Sequence, residues 1–219
     1  MSLNDDDNVS GDTFSSQDVK VESREFVYTG FFKMEKLALK HRLFEGGWTD
    51  TIHRELFVRG QAVAAVMYDP FNKLIGLIEQ FRVGAIGLSP SPWLCEVVAG
   101  MTEEGEEPQD VILRELQEEA AMTPQELIPI CDYFSSPGGT DESLSLFCAI
   151  GDLSHLGGIH GLKEENEDIK VLVLPEKQVF DELYTGRYNN AATLICLQWL
   201  QLHRLDILSQ YAESANAAT

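Results

Sequence analysis

The chain has 219 residues, 44% of them hydrophobic, enough for one full-sized domain with a small extra lobe but not for two large domains. Its 36 acids against 16 bases give a net charge of -20, so no basic stripe is left to hold a nucleic-acid backbone or an anionic membrane. No apolar run approaches the roughly eighteen residues that cross a bilayer, and the cysteines, with no C-x-x-C pair among them, are expected to be plain buried thiols.

Residues 1–22 are polar and acidic and are expected to form a loose tail with no secretory or organellar signal, which makes the cytoplasm the expected compartment. Residues 24–30, 32–44 and 51–60 alternate as antiparallel strands joined by Gly-bearing turns, so 23–58 forms a small N-terminal β lobe. From residue 59 to the end a larger domain follows. "QAVAAVMYD" and "KLIGLIEQF", either side of the turn "PFNK", and "WLCEVVAG" at 93–100 have the composition of buried core strands. Pro108 suits a first helical turn, and Ile112, Leu113, Leu116 and Ala120 recur at helical spacing behind it until Thr123 and Pro124 close the helix. Strands are expected at 127–134, 143–150 and 169–174, with a Gly- and acid-rich loop at 151–168. Two helices finish the chain, one stopped by Gly186 and one, from "NNAATLICLQWLQLHRLDIL", so apolar that burial on most sides is expected. Strands and helices mixed in this order predict an α/β layered domain.

Glu115, Glu118 and Glu119 stand at i, i+3 and i+4 on one face of the predicted helix, with Cβ atoms about 5–6 Å apart. Two unit charges 4 Å apart repel by roughly 4 kcal/mol at an effective dielectric of 20, so three converging carboxylates oppose folding unless a positive charge sits among them. The alternatives are a solvated acidic face with splayed side chains and a divalent cation. Hard oxygen donors on one helix suit magnesium or manganese, which keep several waters and accept the oxygens of a bound phosphate.

The longer pattern bears on that choice. Gly100 is followed after five residues by Glu106, and after seven more by Arg114-Glu115-Leu116-Gln117-Glu118-Glu119, then Ala120, Ala121 and Met122. This resembles the box of the Nudix hydrolase family, G-x5-E-x7-R-E-U-x-E-E-x-G-U with U aliphatic, at every position except the last Gly, which is Ala121 here. The resemblance implies an α/β/α sandwich with a mixed sheet, carrying a strand-loop-helix cation site, and cleavage of a nucleoside diphosphate linked to a further group. It implies Glu115 and Glu119 as cation ligands with Glu118 assisting, and the backbone carbonyl of Ala99 completing the set. Arg114 is expected to pair with Glu106 or a helix acid and so fix the carboxylates. A Gly at the end of a helix commonly takes a left-handed backbone, so Ala121 implies either a different last turn or tolerated strain.

"IEQFR", "PWLCEVVAGM", "SPGGTDES", "HGLKEENEDI" and "NNAATLICLQWLQLH" together resemble the bacterial ADP-ribose pyrophosphatase subfamily over residues 24–206. That implies hydrolysis of ADP-ribose to AMP and ribose 5-phosphate. Pro137 falls where these enzymes carry a proline past the box. Glu165 is the implied general base, ahead of Glu167 and then Glu164, because box glutamates bound to a metal are poor bases. Arg54 and Arg82, by resemblance and by their place at strand ends, are expected to meet the phosphates or ribose; Phe31 or Tyr28 could stack on adenine, and Met101 packs on ribose. The N-terminal lobe, too small to stand alone, implies a homodimer with exchanged lobes. Another nucleotide sugar, such as GDP-mannose or ADP-glucose, would use the same chemistry. A non-catalytic ADP-ribose sensor need not keep the whole set of Glu106, Arg114, Glu115, Glu118 and Glu119.

Overall fold

The computed structural model describes residues 13–163 and 166–217, side chains of 212–217 excepted. The chain divides into two compact units, Met1–Arg59 with Ser136–Asp141, and Gly60–Ser135 with Glu142–Thr219.

The first unit is a three-stranded antiparallel sheet, β1 (Val19–Thr29), β2 (Lys33–His41) and β3 (Ile52–Val58), in the order β1-β2-β3. The ordered strand β1 thus begins four residues inside the segment whose composition suggests a tail. The turn between β2 and β3 contains Gly46 and Gly47, both at positive φ (93° and 83°), where a side chain would be strained. Only β2 is sandwiched, and it supplies the buried Glu35 and Leu37; the Glu35 carboxylate accepts from Arg24 at 3.2 Å. Every residue of β1 is exposed, including Val19, Val21, Phe26, Val27 and Tyr28. The 136–141 turn joins this unit because the Phe57 N–H donates to the Gly139 carbonyl at 2.8 Å and the Arg59 N–H to Asp141 Oδ1 at 2.7 Å.

The second unit is built on a mixed sheet. Its strands are β4 (Gln61–Asp69), β5 (Leu74–Phe81), β6 (Trp93–Glu96), β7 (Val98–Met101), β8 (Glu126–Phe134), β9 (Ser143–Ile150), β10 (Gly158–His160) and β11 (Ile169–Pro175). The path runs β10-β11-β5-β4-β9-β8, with β6 paired to β5 and β7 to β4. Among the described strand pairs of this sheet, only β4 and β9 are parallel. The segment expected as one strand at 93–100 is two, because it changes neighbours at Val97: Glu96 pairs with Ile78 of β5, whereas Val98 pairs with Ala65 of β4. The 151–168 loop holds the short strand β10, too brief for an alternating pattern to show.

Helices cover both faces. Alternate residues of β4 divide between two cores: Ala64, Val66 and Tyr68 pack with α2 (Glu176–Glu182) and α3 (Ala191–Ala217), while Val63, Ala65 and Met67 pack with α1 (Pro108–Ala120). The result is an α/β/α sandwich. Helix α3 is buried along one side through Ala192, Cys196, Leu197, Leu200 and Ile207, but Leu202 and Leu205 are exposed, so its apolar composition overstates its burial. Cys95, Cys148 and Cys196 are buried as expected; Cys131 is exposed on β8, at a bulge between Pro129 and Cys131. Burial pushes the Cys95 thiol up to about 11 and that of Cys196 up to about 12, which makes both inert. Among the described residues no helix is long and apolar enough to cross a membrane.

Helix α1 ends on Ala121 in the left-handed region, φ 52° and ψ 33°. The Ala121 N–H donates to the Gln117 carbonyl (3.1 Å) and the Met122 N–H to that of Leu116 (3.0 Å), the paired closure that usually employs glycine. The turn is retained and the strain tolerated. Ala121→Gly is therefore expected to raise stability by about 1 kcal/mol in urea unfolding. Its cation-dependent turnover is expected to stay within tenfold of wild type, since the acidic residues lie upstream of the cap.

Candidate active site

Strand β7 runs beside β4, with Ala99 opposite Ala64 and Gly100 opposite Val63, and a short loop then leads to Pro108 at the start of α1. Val111, Ile112, Leu116 and Ala120 are buried against the sheet. Each of the three larger ones contributes roughly 2 kcal/mol by leaving water, which holds the helix down despite its acidic flank. That flank carries Glu115 and Glu119, one turn apart, toward Ala99 and Gly100.

Glu119 is 3% exposed, and its Oε2 accepts the Ala99 N–H at 3.3 Å. Glu115 lies so close over Gly100 that a Cβ there would overlap its carboxylate. Gly100 is required by this approach and not by its φ. Gly100→Ala is expected to push Glu115 out of place and lower cation-dependent turnover by a hundredfold or more, while α1 stays folded; circular dichroism and a cation titration check both halves.

Arg114 reaches Glu115 Oε1 at 3.0 Å and Glu118 Oε2 at 3.4 Å, so its partners are the helix acids. Glu106 has a different bond: its carboxylate accepts the Glu103 N–H at 2.8 Å and closes the loop before α1. The Arg114 pairs are partly exposed, and each contributes little to stability.

Glu119 has its pKa pushed up to about 8, first by burial and then by the nearby charges of Glu115 and Glu167, with the Ala99 N–H and Arg82 acting the other way. A carboxyl in this setting holds a proton near neutrality, or gives it up to a cation. Among the described residues no three His, Cys, Asp or Glu side chains are gathered as a cage for an ion. A hard divalent cation does not require one, since one or two carboxylates with waters and substrate oxygens suffice. The buried Glu119 beside Glu115, both oxygen donors, fits such an ion.

Gly161 meets the end of α1, where its N–H donates to the Glu118 carbonyl at 3.4 Å. Glu167 and Leu162 bond each other twice, the Glu167 N–H to the Leu162 carbonyl and the Leu162 N–H to Glu167 Oε2, each at 3.1 Å. These bonds bring Glu167 into the electrostatic range of Glu119. Glu164 and Glu165 lie outside the described residues.

Met101 follows Gly100 on β7 and is exposed, and Arg82 pairs through Nε with the buried Glu96 at 2.7 Å. Arg54, Phe31 and Pro137 belong to the first unit. There Arg54 donates to the His53 carbonyl at 2.8 Å and lines a small cleft with Lys36, His53 and Glu55. Phe31 is 88% exposed and meets Phe32 edge-on at 4.8 Å; Tyr28, on β1, is also exposed. Pro137 is exposed in the turn that Ser136 closes by accepting from Gly139 and Thr140. A separate cleft of about 670 Å³, lined by Glu107, Pro108, Asp110, Cys131, Asp132 and Phe147, opens at the N-terminal end of α1 and includes none of the carboxylates around Glu119.

Sequence reasoning missed Glu96. A single acid inside "WLCEVV" was the available signal, since a buried carboxylate needs a partner.

A family profile for the NUDIX domain matches residues 58–194. The chain is 42% identical over 200 residues to an ADP-ribose pyrophosphatase of Escherichia coli (strain K12), covering 91% of this chain and 96% of that protein. It is 41% identical over 205 residues to an ADP-ribose pyrophosphatase of Haemophilus influenzae, covering 92% and 94%. A GDP-mannose pyrophosphatase of Escherichia coli O1:K1 / APEC is 32% identical over 153 residues, 69% of this chain and 79% of that protein. Among solved structures, one described as an ADP compounds hydrolase superposes with a TM-score of 0.62 at 18% identity, covering 86% of this chain and 95% of that one, and shares the fold.

Proposed function

The chain belongs to the NUDIX family, and on that premise we propose that it hydrolyses the diphosphate bond of ADP-ribose to AMP and ribose 5-phosphate, using magnesium or manganese. The observation that carries the chemistry is Glu119, a buried carboxylate beside Glu115 and Glu167 whose charge only a proton or a hard cation relieves. The substrate follows from likeness over nearly the whole length of proteins named for ADP-ribose, against a shorter and weaker likeness to one named for GDP-mannose.

A divalent cation, when bound, supplies charge neutralisation at the diphosphate oxygens and acidifies an attacking water. Glu115 and Glu119 would hold it, with Glu118 assisting and the Ala99 carbonyl completing the set. Arg114 keeps Glu115 and Glu118 from turning away. Glu165 takes the proton from the water, with Glu167 next in line. Arg82 and Arg54 supply the positive charge that a protein at -20 must concentrate locally to attract a polyanion. Phe31 offers adenine an aromatic face, Met101 packs on ribose, and Pro137 shapes the turn that frames the substrate.

In this reading residues 23–58 form a dimerisation lobe, 59–219 the catalytic domain and 1–22 an acidic extension of a cytoplasmic homodimer. The exposed, apolar edge strand β1 supports a second copy as its cover; a monomer in sedimentation at micromolar concentration would remove the dimer. The function is tested by incubating the protein with ADP-ribose, ADP-glucose, GDP-mannose and NADH, with magnesium and with chelator, and separating the products. Magnesium-dependent AMP release, fastest from ADP-ribose, is expected. Saturable ADP-ribose binding without turnover would make the protein a sensor instead.

A further inference from the structure

Glu96 is 2% exposed, and both of its oxygens are bonded: Oε2 accepts Arg82 Nε at 2.7 Å and Oε1 accepts Asn190 Nδ2 at 2.8 Å. Asn190, at the start of α3, is itself fixed, since its Oδ1 accepts the Thr193 N–H at 3.1 Å and the Thr193 hydroxyl at 3.3 Å. Thr193 is fully buried, and its Oγ1 accepts the N–H of Val97, next in the chain to Glu96, at 3.1 Å. The circuit therefore closes on itself. With Oδ1 committed to the helix, the amide NH2 of Asn190 can only face Glu96, and with both carboxylate oxygens occupied Glu96 has one orientation left.

Arg82 is the loose end of this circuit, its side chain 42% exposed. Pairing through Nε leaves the two Nη groups for an oxygen-rich ligand. We propose that Asn190 and Glu96 are positioning residues that orient the Arg82 guanidinium toward the diphosphate, so that the start of α3 sets the aim of a substrate-binding side chain across the sheet edge. The proposal rests on the ADP-ribose reading given above. An ion pair that served only to satisfy a buried acid would leave binding unchanged when weakened.

The test is a double-mutant cycle on ADP-ribose hydrolysis, with thermal melts of every variant. Glu96→Gln is expected to lower kcat/KM about tenfold, chiefly through KM, as hydrogen bonds to charged groups are worth at least that factor. Asn190→Ser keeps a capping oxygen for Thr193 but lacks the amide NH2 that reaches Glu96, its hydroxyl being shorter by the length of the amide, and is expected to lower kcat/KM about threefold. It runs the same cycle should Glu96→Gln fail to fold. In an Arg82→Ala background neither change is expected to matter by more than about twofold, because the side chain they aim is gone. Equal losses with and without Arg82, or a lowered melting point at unchanged kcat/KM, would overturn the relay and leave a structural ion pair. An Arg82→Ala enzyme as active as wild type would overturn it while the ADP-ribose reading stands. A wild type that neither turns over nor binds ADP-ribose would overturn both.

Discussion

Glu119→Gln is expected to make the protein more stable than wild type in chelator at pH 8, and to cost it at least a hundredfold of its cation-dependent turnover. The direction follows from linkage. In the unfolded chain this carboxyl titrates at an ordinary glutamate value, about 4.3, whereas in the fold it titrates at about 8. Between these values the folded protein keeps a proton that the unfolded chain has released, so stability is full below the lower value and is lost as pH rises through the upper one. Each pKa unit corresponds to about 1.4 kcal/mol, which makes the loss several kcal/mol. Glutamine has no charge to bury and should flatten the curve. Melts from pH 5 to 9 in chelator measure it, and a wild type that does not lose stability over that range would show that Glu119 is not buried as an acid. A cation that enters must displace the same proton, so affinity should rise toward pH 8 with about one proton released per ion.

The second large effect belongs to the 161–167 loop. Glu165→Gln is expected to reduce kcat a hundredfold or more with little change in KM, in the range of a lost general base. Glu167→Gln should behave differently, because Glu167 Oε2 accepts the Leu162 N–H and its charge helps to raise the Glu119 pKa. Removing that charge should lower the pH at which the cation binds, with a kcat loss of roughly tenfold or less. Full kinetics of both variants at saturating magnesium separate the roles. A larger kcat loss at Glu167 than at Glu165 would transfer the base to Glu167.

Helix α1 was legible in the sequence because its signals are local: Pro108 at the first turn, apolar residues at helical spacing, and acids one turn apart. The strands β4 and β5 were legible for the same reason, as continuous apolar runs around a turn. What escaped was set by partners distant in sequence. The division of 93–100 at Val97 depends on which neighbour each half finds, and no spacing within the segment encodes that. Strand β1 starts earlier than its pattern suggests, because a strand exposed along its whole length needs no alternation to exist. The carboxylates of α1 could be placed from their spacing, but the burial of Glu119 against Ala99 required the strand to be docked first. Glu96 and Asn190 lie 94 residues apart, and nothing in either segment names the other.

The parallel pairing of β4 with β9 has a consequence for how the chain is made. Gln61 lies opposite Ser143, about eighty residues later. At roughly 5–20 residues per second on a ribosome, β4 emerges several seconds before the neighbour that covers one of its edges. During that interval β5 and β7 can pair with β4 and α1 can cover Val63, Ala65 and Met67, but Ala64, Val66 and Tyr68, fully buried in the finished fold, still lack α2 and α3. The strand-loop-helix between β7 and α1 is complete well inside this interval. Its chemistry is thus laid down early, on a sheet whose centre closes late, and the yield of soluble protein should depend on the speed of synthesis and on temperature far more than the finished enzyme's activity does.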